Sequence, residues 1–250
     1  GSIYLFVFLA GIALPAWWLG YLAMLARPAA VGGTGADGPL EWYPPGRLVI
    51  WAAVLAALFA LLLNFGIASE NARQGLATSV AQILRAETGS TPDPEQSKRL
   101  VAFLIEAIPM AAAVATTLVH IVNLWLAASA VKFSGRLARP WPVFSAMTFP
   151  RPVTAALAIA VMLSFVGGFI GIAAGVVTAA LLMAFGLLGF AVLHAVTQGM
   201  KARGLLLGST YAAVLVFGWP MLALCLLGIV DGLSGLRGRM ARKRGPPPPG

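Results

Sequence analysis

The sequence predicts an all-α integral membrane protein, a helical bundle of about six transmembrane helices plus one short amphipathic surface helix. Three observations predict it. Of the 250 residues, 60% are hydrophobic and 10% charged, with mean hydropathy +0.89, whereas soluble domains carry roughly 25% charged residues. The apolar residues fall into runs near the roughly 20 residues that cross a bilayer. The net charge of +9 lies in the connections and the tail, where it points to anionic lipid headgroups rather than nucleic acid.

The first span is 3–26, closed by Arg27-Pro28. The chain opens "GSIYLFVFLAG" without an initiator Met. This is not a signal peptide, because it lacks a basic start and its apolar sequence continues to Ala26. Residues 27–47 are rich in Gly and Pro and predict an irregular loop, with Trp42 and Tyr43 beside Pro44-Pro45 as interface anchors. The second span is 48–68. In 69–87, Leu76, Val80, Ile83 and Leu84 repeat at helical spacing, with Arg73, Gln74, Arg85 and Glu87 elsewhere. That pattern predicts the amphipathic helix, on the membrane surface or against other helices.

The third span is long, about 100–131. Residues 132–152 carry four basic residues, no acids and four prolines, and predict a connection. The stretch 153–198 is too long for one span. "VGGFIG" at 166–171 breaks it into spans at about 153–169 and 172–198, unless the whole is one broken or re-entrant unit. Gly167, Gly171 and Gly175, four apart, suit a turn followed by close helix packing. The sixth span is 205–230. The single domain is 1–236, and the basic, Pro-rich tail 237–250 is expected to be disordered. Cys225 is a packing residue, and the tryptophans are mostly interface anchors.

With six spans the Lys and Arg divide eight against nine between the two sides, which does not orient the chain. The basic tail favours a cytoplasmic C-terminus, and that would place 69–99 in the cytoplasm too.

Polar groups at membrane depth are the candidate site, because an ionisable group at mid-bilayer costs roughly 3 kcal/mol and usually turns inward. In the third span, Thr116, His120 and Asn123 are spaced i, i+4, i+7, and Glu106 falls near the same stripe. The stripe predicts a polar lining for a solute, with Asn64 and His194 as further candidates; the plainer reading is hydrogen bonding between helices. Pro109 is expected to kink the helix and free a carbonyl. Asp231, at the end of the last span, is placed to cap the exit or to pair with Arg237 or Arg239. No phosphate-binding Gly-Lys loop, metal cluster, nucleophile elbow or carboxylate pair is present. The sequence therefore predicts no enzyme and no cofactor, and any ATP-driven transport would need a partner's motor.

The stretch "NLWLAASAVKFSGRLARPWPVFSAMTFPRP", the Gly-broken pair ending "LLGFAVLHAVTQGMKARGL" and the exit "LLGIVDGLSGLRGR" together resemble the YybS-like family of bacterial multi-pass membrane proteins, a domain of unknown function. The likeness covers roughly 99–240. Since family members generally carry further apolar segments at the N-terminus, the resemblance implies residues before Gly1. It also implies a bacterial inner-membrane location and a distant similarity to the substrate-binding S components of energy-coupling-factor transporters. Those components bind a small-molecule solute and work with separate ATPase or coupling subunits. The exit "DGLSGLR" keeps Asp231 and Arg237 but lacks the aromatic residues of the family pattern.

Overall fold

The computed structural model describes residues 2–29, 40–67, 70–88 and 93–239. The middle of the Gly-rich first connection and the Pro-rich tail from 240 lie outside the described residues. The described chain is almost entirely helical, as its composition predicts.

Its first rod combines α1 (Ser2–Phe8), one π-helical turn (Leu9–Ala13) and α2 (Leu14–Ala23). Two short strands, β1 (Ala26–Pro28) and β2 (Leu40–Trp42), pair antiparallel beyond it. There follow α3 (Pro45–Ile67), α4 (Glu70–Thr88) and α5 (Pro94–Phe133). Asp93 caps α5, its side chain accepting from the Glu95 N–H at 3.0 Å, and Pro94 takes the first helical position, where a missing N–H costs nothing. α5 runs on through Pro109 as one helix of 40 residues. α6 (Arg151–Ser164), α7 (Gly168–Val196), α8 (Arg203–Phe217) and α9 (Pro220–Ser234) complete the fold.

Among the described residues, four helical segments are long and apolar enough to cross a membrane: Tyr4–Ala23, Pro45–Asn64, α5 and α7. The last is the hub. It is the most buried of the four, and α3, α5, α6 and α9 all pack on it. Gly167, in the turn before it, and Gly168, its first residue, adopt positive φ, and Gly175 lies against Met110 of α5, so the expected turn followed by close packing is what forms.

Two of the six expected spans are built differently. α6 has 14 residues, about 21 Å, against a hydrocarbon core of about 30 Å. It lies along only the first half of α7, with Leu163, Ala160 and Ala156 facing the same groove as Ile170, Ala173 and Val177. Non-helical chain lies along α7 before it. Phe144 meets the His194 ring edge-on at 5.5 Å and Phe149 meets Phe185 at 5.3 Å, so residues 144–149 descend along α7 by about 13 Å. Residues 132–152 are thus not wholly a surface connection: Met147 is buried in the core.

The expected sixth span, 205–230, is broken. Gly218 has φ +71°, and Pro220 opens α9. Proline has no N–H to continue α8, and the positive φ suits glycine. Two helices of 15 residues result, each about 22 Å long. α8 leaves from the end of the bundle where α7 terminates. α9 returns to that end, where Arg237 bonds to the 145–147 backbone beside the Ser145–Gln198 contact.

This fold-back sorts the charges. The end that holds the β-ribbon carries Arg27, Arg47, Lys132, Arg136, Arg139, Arg151, Lys201, Arg203, Arg237 and Arg239. The opposite end carries Arg73, Arg85, Lys98 and Arg99, giving ten against four among the described residues. The even division expected from six spans fails because the last segment folds back at Gly218–Pro220 and ends where it began. For the same reason the 69–99 segment and the Arg237 exit lie at opposite ends, not on one side.

α4 packs along the first part of α5 and touches α3. Val80 is buried, Leu76 and Leu84 are half-buried and Ile83 is exposed, so the amphipathic helix covers its neighbour with most of its apolar face.

Candidate functional site

The structure does not gather the polar stripe of α5. Only His120 is buried, at 4% exposure; Thr116 is half-buried, and Glu106 and Asn123 are exposed. The buried face consists instead of Pro109, Ala113, Thr117 and His120. Thr117, one residue from the expected Thr116, is fully buried, and its hydroxyl donates to the Ala113 carbonyl at 2.7 Å. A helical stripe fixes which residues share a face, but neighbouring helices fix which part of that face is covered. Here α3 and α7 cover the side carrying the small residues.

His120 has a specific task. Pro15 lacks an N–H, so the carbonyl four residues earlier, Gly11, loses its α-helical donor. His120 Nε2 lies 3.0 Å from that oxygen, and Nδ1 lies 3.3 Å from the Ala52 carbonyl of α3. Both partners are carbonyl oxygens, which can only accept, so a ring nitrogen that carries a hydrogen donates it there, and the shorter contact is to Gly11. Gly11 has no side chain to hold off the Phe59 ring, on which the π-helical turn rests. One side chain thus joins the N-terminal rod, α3 and α5. Beside it lies a cavity of about 90 Å³ whose lining includes Ile12, Leu19, Asn123 and Leu124.

The other candidates are scattered. Asn64 is buried near the end of α3. His194, near the end of α7, contacts the Tyr211 hydroxyl of α8 through Nε2 at 3.1 Å. Tyr211 in turn stacks on Phe190, with ring centres 4.5 Å apart.

A denser buried polar cluster forms around Asp231 and Arg237, as the exit pairing anticipates. The Arg237 guanidinium donates to Asp231 through Nε at 3.0 Å and Nη2 at 2.6 Å, and the Arg237 N–H donates to Asp231 Oδ1 at 3.1 Å. Nη1 donates to the Ser145 carbonyl and Nη2 to the Met147 carbonyl, both at 2.7 Å. Non-helical backbone that is buried must find partners within the protein, and Arg237 supplies them for the 144–149 segment. Its ionic partner lies on α9, so the clamp holds the last helix to the 144–149 segment. Arg237 belongs to the folded body, although the sequence places it at the start of the tail. At the same end Arg139 donates to the Ala23 carbonyl at 2.9 Å and the Tyr43 carbonyl at 3.3 Å. Burial pulls the Arg139 guanidinium below the usual arginine value, but arginine keeps its proton in proteins.

Larger hollows lie elsewhere. One of about 360 Å³ at the basic end has Arg27, Glu41, Trp42, Tyr43 and Arg47 in its wall. Two apolar furrows run along α6 and α7. No known protein family, curated protein or solved structure matches this chain.

Proposed function

We propose that this protein is a non-catalytic scaffold or assembly factor of the bacterial inner membrane that acts through its helical surfaces. One observation carries the reading. The polar groups of α5 do not converge on a pocket: His120 reaches across to the neighbouring helices, Thr117 bonds within α5, Glu106 and Asn123 are exposed, and the cavity beside His120 is about 90 Å³, against the roughly 300–1,000 Å³ of small-molecule sites. Its basic end faces the cytoplasm by the excess of Lys and Arg there. The chain traverses the bundle five times, through the N-terminal rod, α3, α5, the descent with α6, and α7, and then folds back in α8–α9. The rival reading, a solute-binding subunit coupled to ATPase partners, would have to use the hollow at Arg47 and not the α5 stripe.

Affinity purification of the full chain in mild detergent tests the reading. A stoichiometric protein partner without a bound solute is expected. A co-purifying small molecule together with ATPase subunits overturns it. Reporter fusions test the orientation: one after the last residue should read as cytoplasmic and one inserted at 89–92 as external, and the reverse result refutes it.

A further inference from the structure

We propose that an anionic phospholipid binds at the basic end, with an acyl chain in the furrow between α3, α6 and α7 and its phosphate on Arg47. The furrow, about 240 Å³, is walled by Ile50, Ala53, Ala57, Val153, Ala156 and Val177, among other apolar side chains, and by no polar one among the described residues. A second furrow of about 460 Å³ shares Ala156 and Val177 and continues the hollow along α6 and α7 towards Ile170. Small residues at Ala53, Ala57 and Ala156 create the depth. An apolar hollow does not hold ordered water, which needs polar partners, so at membrane depth an acyl chain is the filling that costs least.

The polar end of the ligand follows from α3. Positions 47, 50, 54, 57 and 61 share one face of that helix, so Arg47 stands one turn above Ile50, where the furrow begins. Arg47 is exposed, and no ion pair involving it forms among the described residues. Among the described residues that line the end hollow, the one carboxylate beside it, Glu41, is engaged by Arg27 at 2.8 Å. That hollow, about 360 Å³, has Trp42 and Tyr43 in its wall, side chains suited to the headgroup layer. The excess of basic residues at this end selects a net-negative headgroup over a zwitterionic one.

Titration of the purified full chain with phosphatidylglycerol or phosphatidylcholine of identical acyl chains, read by native mass spectrometry, tests this. Phosphatidylglycerol should be retained at least about fivefold more, the factor one basic residue contributes to anionic-lipid attraction. Arg47→Gln should remove about that factor, and Ala156→Phe, at an exposed position, should lower retention of both lipids by filling the furrow. Glycerol 3-phosphate at matched concentration should displace nothing. Equal retention of the two lipids, or full retention by both variants, overturns the proposal. Displacement by glycerol 3-phosphate would instead assign the site to a free phosphate compound. If Arg47→Gln does not fold, raised salt on the unmodified chain should weaken phosphatidylglycerol retention and leave phosphatidylcholine unchanged; retention indifferent to salt refutes the arginine's role.

Discussion

The crossing of α7 with α9 and the junction of α5 with the N-terminal rod are both helix contacts at membrane depth, and they are built in opposite ways. At the first, side chains are missing. A Cβ on Gly189 would strike the Leu224 carbonyl, and one on Gly228 would strike the Phe185 carbonyl, so the two backbones touch. At the second, a side chain is added: His120 fills the bond that Pro15 removes from Gly11. Lipid is as apolar as leucine, so expelling apolar surface does not hold helices together there. The two junctions use what remains, close dispersion contact in one case and a satisfied backbone group in the other. The first is rigid, because no rotamer moves a backbone carbonyl. The second has slack, because an imidazole can turn.

The largest effect should come from the clamp beside the close crossing. Arg237→Leu leaves Asp231 buried without its partner and deprives two carbonyls of donors. Breaking a buried pair from one side costs about 3–5 kcal/mol, so this variant should lose most of its folded yield in detergent. A normal yield and melting temperature would mean that water reaches Asp231. Gly189→Val comes next. Overpacking costs about 1–3 kcal/mol and more where backbone must move, so thermal melting should fall by that much. Gly208→Ala on α8, where a Cβ meets nothing, should gain about 0.5–1 kcal/mol from helix propensity alone. If both glycine variants behave alike, the α7–α9 backbones are not in contact.

The same contrast marks what could be read in the sequence. The membrane class, the turn at Gly167 and the Asp231–Arg237 pair were all legible, because each rests on local chemistry or on composition; the start of α5 at Asp93-Pro94 was not read, since the hydropathy of the third span begins only near residue 100. The fold-back of α8–α9 was not read, since a hydropathy run cannot tell one span from two half-length helices. Gly218-Trp219-Pro220 nevertheless carries the break within the run. Gly186, Gly189 and Gly228 were passed over in favour of Gly167, Gly171 and Gly175, as spacing alone cannot say which glycines meet a partner. The α5 stripe was turned towards Thr116 and Asn123 when the polar residues were followed; Pro109, Ala113 and Thr117, small residues four apart, mark the covered side. The inward position of His120 was legible, but its partner was not, because Gly11 lies 109 residues away in sequence.

At the second junction His120→Leu should cost about 1–2 kcal/mol. That figure lies between the usual 0.6 kcal/mol of an interhelical bond in a membrane and the 1–3 kcal/mol of an unsatisfied buried carbonyl. The sharper measurement is a double-mutant cycle with Pro15→Ala. Alanine at 15 restores an N–H four residues after Gly11, so the carbonyl regains a donor within its own helix. Pro15 is fully buried, so this change also removes packed atoms and is destabilising by itself. The cycle cancels that loss, because it appears on both sides. If the histidine stands in for the missing N–H, removing it from the Pro15→Ala protein should cost about 0.5–1 kcal/mol less than removing it from the original chain. Denaturation of all four proteins in one detergent reads the difference. Costs that add within about 0.3 kcal/mol, as they do for independent sites, would show that His120 and Pro15 do not act on the same carbonyl. The Ala52 contact at 3.3 Å would then be what holds the imidazole in place.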